Sequence, residues 1–135
     1  MDTAYFYLGL SGMLAVALWI PYILARMVTW GIPTFLNNYP EGFPATEPQP
    51  PLWAQRAQRA HLNMVETLPA FAAVVVAAGA LSSSASYPII ATWAQVFFFA
   101  RIGHAVVYTL GIPYLRTPVY LVSWAAVLMI GLVII

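Results

Sequence analysis

Arg59, Asn63 and Glu66 fall at i, i+4 and i+7, so a helix would carry them as one stripe, with Arg56 three residues earlier. A guanidinium forks onto a carboxylate, a carboxylate holds an ammonium, and an amide fixes a peptide group. Arg101, His104 and Tyr108, spaced i, i+3 and i+7, make a second single-faced set. The setting is what makes these residues conspicuous. Only 7% of residues are charged and 62% are hydrophobic. A charge at membrane depth costs roughly 2.5–3.5 kcal/mol on insertion scales and is usually retained for function.

Internal ion pairing is the plainer account, with Glu66 neutralising Arg59 or Arg101 and Asn63 bonding across helices. The charge count opposes it. Arg26, Arg59, Arg101 and Arg116 share one half of the molecule with a single intramembrane carboxylate, Glu66. Surplus buried guanidinium calls for an anionic ligand, while the lone carboxylate suits an ammonium. A small zwitterion with an extra carboxylate fits.

Composition narrows the rest. A chain of 135 residues is normally one domain, and a mean hydropathy of +0.81 with long apolar runs makes it an integral membrane protein. With no cysteine there are no disulfides, thiol nucleophiles or cysteine metal sites, and two histidines without carboxylate help make no metal site. Net charge of +1 speaks against nucleic acid. Lysine is absent, so every cationic side chain is an arginine. Met1-Asp2-Thr3 lacks a basic n-region, and the first apolar run is expected to be retained.

Hydropathy predicts an all-α, four-span protomer, with spans at about 5–29, 52–79, 87–110 and 117–135. Pro21 is expected to kink the first. A Pro-rich, irregular loop fills 31–51, with Asn37, Asn38, Glu41 and Glu47, the two acids read as solvated charges. Ser82 to Ser84 form a short loop, and Gly111-Ile112-Pro113 turns the chain into span four. Arg26, Arg56 and Arg59 flank the first loop and Arg101 and Arg116 lie toward the third, on the same side. The positive-inside rule puts that side in the cytoplasm and both termini opposite. Trp30 and Trp53 flank the first loop as interfacial anchors, and Phe97 to Phe99 read as core or lipid contact. Gly9, Ser11 and Gly12 would permit close helix packing, and His61, off the stripe, should make an interhelical hydrogen bond. Pro69, three residues after Glu66, can loosen the helical ladder.

Arg59-Ala-His61-x-Asn63-x-x-Glu66-x-x-Pro69, followed by Ala100-Arg101-x-x-His104-x-x-x-Tyr108, resembles the MAPEG family, the membrane-associated proteins of eicosanoid and glutathione metabolism. The four-span layout, the long first loop and Leu115-Arg116-Thr-Pro118 match as well, so the resemblance covers nearly the whole chain. One departure is Leu62, which stands where the family's prostaglandin synthase has a further arginine.

The resemblance implies a homotrimer of four-helix protomers that binds glutathione as co-substrate between subunits, near the cytoplasmic face. By position, Arg26, Arg59, Asn63, Glu66, Arg101, His104 and Tyr108 would contact glutathione: arginines on its carboxylates, Glu66 on its ammonium and Asn63 on its peptide portion. Catalysis then needs a thiolate, which a nearby guanidinium favours. Two alignments stand open. In one, Arg116 takes the thiolate-binding place; in the other, Tyr120 and Leu121 replace the family's arginine and serine, leaving Tyr120 as a neutral thiol partner.

The leading expectation is thus a glutathione transferase- or peroxidase-like membrane protein acting on a lipophilic electrophile drawn from the bilayer. A non-catalytic lipid- or ligand-binding scaffold on the same fold is the second reading. A small transporter relaying protons through Glu66 and His104 is the third.

Overall fold

The computed structural model describes residues 1–37 and 48–135. The expectations for Asn38, Glu41 and Glu47 lie outside these residues. Among the described residues the chain is helical, with no strand: α1 (Asp2–Ala17), α2 (Trp19–Trp30), α3 (Ile32–Leu36), α4 (Leu52–Leu81), α5 (Tyr87–Leu110) and α6 (Arg116–Leu132). Three segments are long and apolar enough to cross a membrane: Asp2–Trp30, Leu52–Leu81 and Ser84–Leu110. The fourth predicted span is the shorter apolar helix α6, whose 17 residues cover about 25 Å at roughly 1.5 Å per residue. A 3-10 turn, Ser84–Ser86, occupies the serine loop.

The first span breaks where its proline dictates, one turn ahead of the proline itself. Pro21 has no N–H to offer the Ala17 carbonyl, and its ring crowds that carbonyl. The helix stops at Ala17 and restarts at Trp19, with Leu18 between them still in right-handed helical geometry (φ −66°). On the far side of α2, Gly31 at φ +79° ends the helix in a conformation that a side chain would resist. The predicted irregular loop then begins with a short helix, α3, which Pro33 can open because a first-turn residue needs no N–H partner. Pro69 leaves α4 unbroken through all 30 residues.

Two apolar clusters hold the helices together. The larger joins Ala4 and Ala15 of α1, Met64, Phe71, Val75 and Ala78 of α4, Ile90, Ala94 and Phe97 of α5, and Ala126 and Ile130 of α6. Its centre is a stack of Phe71 on Phe97, with ring centroids 3.8 Å apart and planes 10° from parallel. The smaller cluster, toward the loop end, sets Tyr22, Ile23 and Ala25 of α2 against Ala54 and Ala57 of α4. Alanines there let the two backbones approach, which is how membrane helices gain packing energy without a hydrophobic driving force. Tyr22 and His61 Nδ1 share a hydrogen bond of 3.0 Å across the same pair of helices, the interhelical contact expected of His61.

Of the small residues early in α1, Ser11 is the one packed closely against the rest of the described structure. Among the described residues, a Cβ at Gly9 or Gly12 would meet nothing within 4 Å. Ser11 is buried and returns its hydroxyl to the Tyr7 carbonyl at 2.8 Å. Of the three consecutive phenylalanines, Phe97 is core and Phe99 is 59% exposed.

Truncation should separate these roles. Phe97→Ala is expected to destabilise the protein by about 3 kcal/mol, the lower end for a buried aromatic. Phe99→Ala should stay within about 0.5 kcal/mol, as for other exposed positions. Reversible unfolding in mixed detergent micelles reads both.

Candidate functional site

α5 turns Arg101 and His104 inward, and each is almost fully buried, at 1% and 2% exposure. Tyr108, one turn further, is half-buried at the rim. Arg101 is held from two sides. Its Nη2 donates to Asn63 Oδ1 on α4 at 2.8 Å, and its Nε donates to the Met64 sulfur at 3.4 Å. The guanidinium carbon also lies 5.7 Å from the centre of the Tyr120 ring of α6, a cation–π approach that spreads its charge onto an aromatic face. Arg101 thereby ties α4, α5 and α6 at one level. Among the described residues its Nη1 has no hydrogen-bond partner, and neither has His104 Nδ1. A buried donor or acceptor without a partner is costly, so two such atoms at one level mark a place for something else to bond.

The open space is there. A recess of about 310 Å³ is lined by Asn63, His104, Tyr108, Arg116, Thr117 and Tyr120, residues from three helices. His104 sits between two phenols, its ring edge-on to Tyr108 (centroids 5.5 Å) and tilted against Tyr120 (5.9 Å). Arg116, in the first turn of α6, lays its guanidinium 5.0 Å from the Tyr108 ring centre. Arg116 and Tyr120 are one turn apart, so both reach this recess from the same face of α6.

Six of the nine residues singled out from sequence are brought together here: Asn63, Arg101, His104, Tyr108, Arg116 and Tyr120. Arg26, Arg59 and Glu66 are not among them. Arg26 lies on α2, donating from Nη2 to Gln58 Oε1 at 3.3 Å and lying 5.1 Å from the Trp30 ring. Arg59 and Glu66 are exposed on the outer face of α4. Helical geometry explains the split: at about 100° per residue Asn63 is rotated roughly 40° from Arg59 and 60° from Glu66, toward the α5 side. Thr117 joins the lining without having been singled out; its adjacency to Arg116 was the only sequence signal available.

The family model of the MAPEG family matches residues 10–135, almost the entire chain. The chain is a MAPEG protein. Comparison with the curated proteins and with the solved structures gives no match. Membership together with three long apolar helices makes it a membrane protein of a family concerned with glutathione-related or eicosanoid metabolism. In this MAPEG protein the second-span and third-span motifs meet through the Asn63–Arg101 bond.

That bond is testable apart from any ligand. Among the described residues, Asn63→Leu leaves the Arg101 guanidinium with the thioether of Met64 and the Tyr120 ring, and should destabilise the protein by about 1.5–3 kcal/mol, the range for hydrogen bonds to charged groups. Asn63→Leu with Arg101→Met should recover much of that loss, because the unpaired buried charge is gone. Thermal unfolding of both variants in the same detergent makes the comparison.

Proposed function

We propose that the protein binds glutathione between neighbouring subunits of a homotrimer and presents its thiol to a lipophilic electrophile. One observation carries the proposal: Asn63, His104, Tyr108, Arg116 and Tyr120 line a single recess, with the Arg101 guanidinium fixed behind it by Asn63. Its donors suit carboxylate and thiolate groups. On this reading Arg59 and Glu66, exposed on α4, face an adjoining subunit and complete the site there, since lipid is the one environment they cannot face cheaply. α6 is then the fourth span, and the arginine-rich end lies in the cytoplasm.

The thiol would lie between Arg116 and Tyr120. The guanidinium favours the thiolate by charge, and the phenol can donate one hydrogen bond to the same sulfur. Since both side chains line the recess, the two alignments converge on one place. For the electrophile, an apolar recess of about 410 Å³ lies between α5 and α6, lined by Gln95, Val96, Phe99, Ala100, Val119 and Val122. Val119 precedes Tyr120 on α6, so this hollow lies at the depth of the polar recess on that helix.

The scaffold reading, in which a ligand is held unchanged, draws on Tyr120 standing where one alignment puts the family's thiolate-binding arginine. The proton-relay reading has less to stand on, since His104 is buried while Glu66 is exposed.

Glutathione should raise the melting temperature of the purified protein, and the bound thiol should show thiolate absorbance at neutral pH. In Arg116→Ala the thiolate fraction should fall about tenfold, corresponding to roughly one pKa unit; Tyr120→Phe should lower it less. No stabilisation by glutathione would end the glutathione reading. Stabilisation with no thiolate signal in the wild type would favour the scaffold.

A further inference from the structure

Arg56 and Arg116 come from different helices, the start of α4 and the start of α6, yet both line a second recess of about 390 Å³. Tyr108 and Thr117 form its wall toward the first recess, and the turn from Gly111 to Tyr114 forms the other. Among the described residues, no carboxylate lines it. The Arg56 guanidinium packs directly on Gly111, where a Cβ would collide with it. Gly111 also caps α5 in the left-handed region, at φ +71°, so the one glycine shapes the turn and seats the arginine. The Arg116 guanidinium carbon lies 5.0 Å from the Tyr108 ring centre, a cation–π approach at the wall the two recesses share.

Charge, depth and rim point to one kind of occupant. A carboxylate offers two oxygens in a plane and is satisfied by one guanidinium fork; two guanidiniums and two hydroxyls converging from separate helices match the several oxygens of a phosphate. The recess sits where α5 ends and α6 begins, the level at which a spanning helix meets lipid headgroups. Its surroundings are apolar and open: Leu110 is 67% exposed, Leu115 48%, and Tyr114, at the backbone's one positive non-glycine φ among the described residues, 93%. We propose that this recess holds the phosphate headgroup of an anionic membrane lipid, with Arg56 and Arg116 on the phosphate and the acyl chains along Leu110 and Leu115. Arg116, Tyr108 and Thr117 line both recesses, so lipid occupancy sets where the Arg116 guanidinium points. The inference does not depend on glutathione.

Delipidated protein without glutathione, reconstituted in phosphatidylcholine nanodiscs and titrated with phosphatidylglycerol, tests it by native mass spectrometry and melting temperature. The wild type should bind phosphatidylglycerol roughly tenfold more tightly than phosphatidylcholine, whose choline ammonium offsets the phosphate charge and is repelled by the two guanidiniums. Arg56→Gln should lose most of that preference. Asn37→Asp, which shifts net charge equally at an exposed position of the same end, should keep it. Equal loss in both variants would reduce the effect to general electrostatic attraction and overturn the proposal. Displacement of the lipid by millimolar inorganic phosphate would overturn its lipid source. Should Arg56→Gln fold poorly, Gly111→Ala, which pushes the Arg56 guanidinium out of its seat, must weaken the preference in its place; an unchanged preference there would also overturn the proposal.

Discussion

A guanidinium with 1% of its surface exposed, set among membrane-spanning helices, constrains everything packed around it. Arg101 cannot reach water, so its charge must be met by groups that other helices bring to it. Asn63 supplies an amide oxygen from α4, Met64 a polarisable sulfur from the same turn, and Tyr120 a ring face from α6. Satisfying one side chain therefore fixes the rotation of α4 and the register of α6 against α5. The recess in front of it, with His104 and Arg116, follows from that register.

The same constraint explains which parts of the structure were legible in the sequence. The stretch expected at about 87–110 is helical from Tyr87 to Leu110, with Pro88 in its first turn and Gly111 closing it. Spacing likewise gave the α5 face of Arg101, His104 and Tyr108, since three-and-four periodicity survives any packing arrangement. It could not divide the stripe on α4. Arg59, Asn63 and Glu66 lie within about 60° of one another on a helical projection, and only the position of Arg101 decides that Asn63 turns in while its neighbours stay out. Nor did spacing resolve Arg116 against Tyr120. They are one turn apart, and α6 brings both to the recess.

The break after Ala17 was readable as a proline effect but not at the correct residue, because the disturbance falls on the carbonyl one turn before the ring. The short helix α3 was missed because a Pro-rich composition masks a single helical turn that Pro33 itself can open. Gly9, Ser11 and Gly12 of α1 were read together as packing residues; Ser11 is buried, while a Cβ at either glycine would meet nothing within 4 Å among the described residues. Membership in the MAPEG family was legible because its motifs are polar residues at fixed spacing on otherwise apolar helices, a pattern that chance rarely supplies.

The break at Leu18 also divides the interior. α1 belongs to the aromatic cluster of Phe71 and Phe97, whereas α2 belongs to the cluster of Tyr22, Ile23 and three alanines. The second has far less dispersion energy to forfeit when its helices separate. By that comparison, parting helices at the loop end would forfeit less packing than parting them around the aromatic stack. Both polar recesses lie at that end, so they are built where the helices are held together by the thinner of the two apolar clusters.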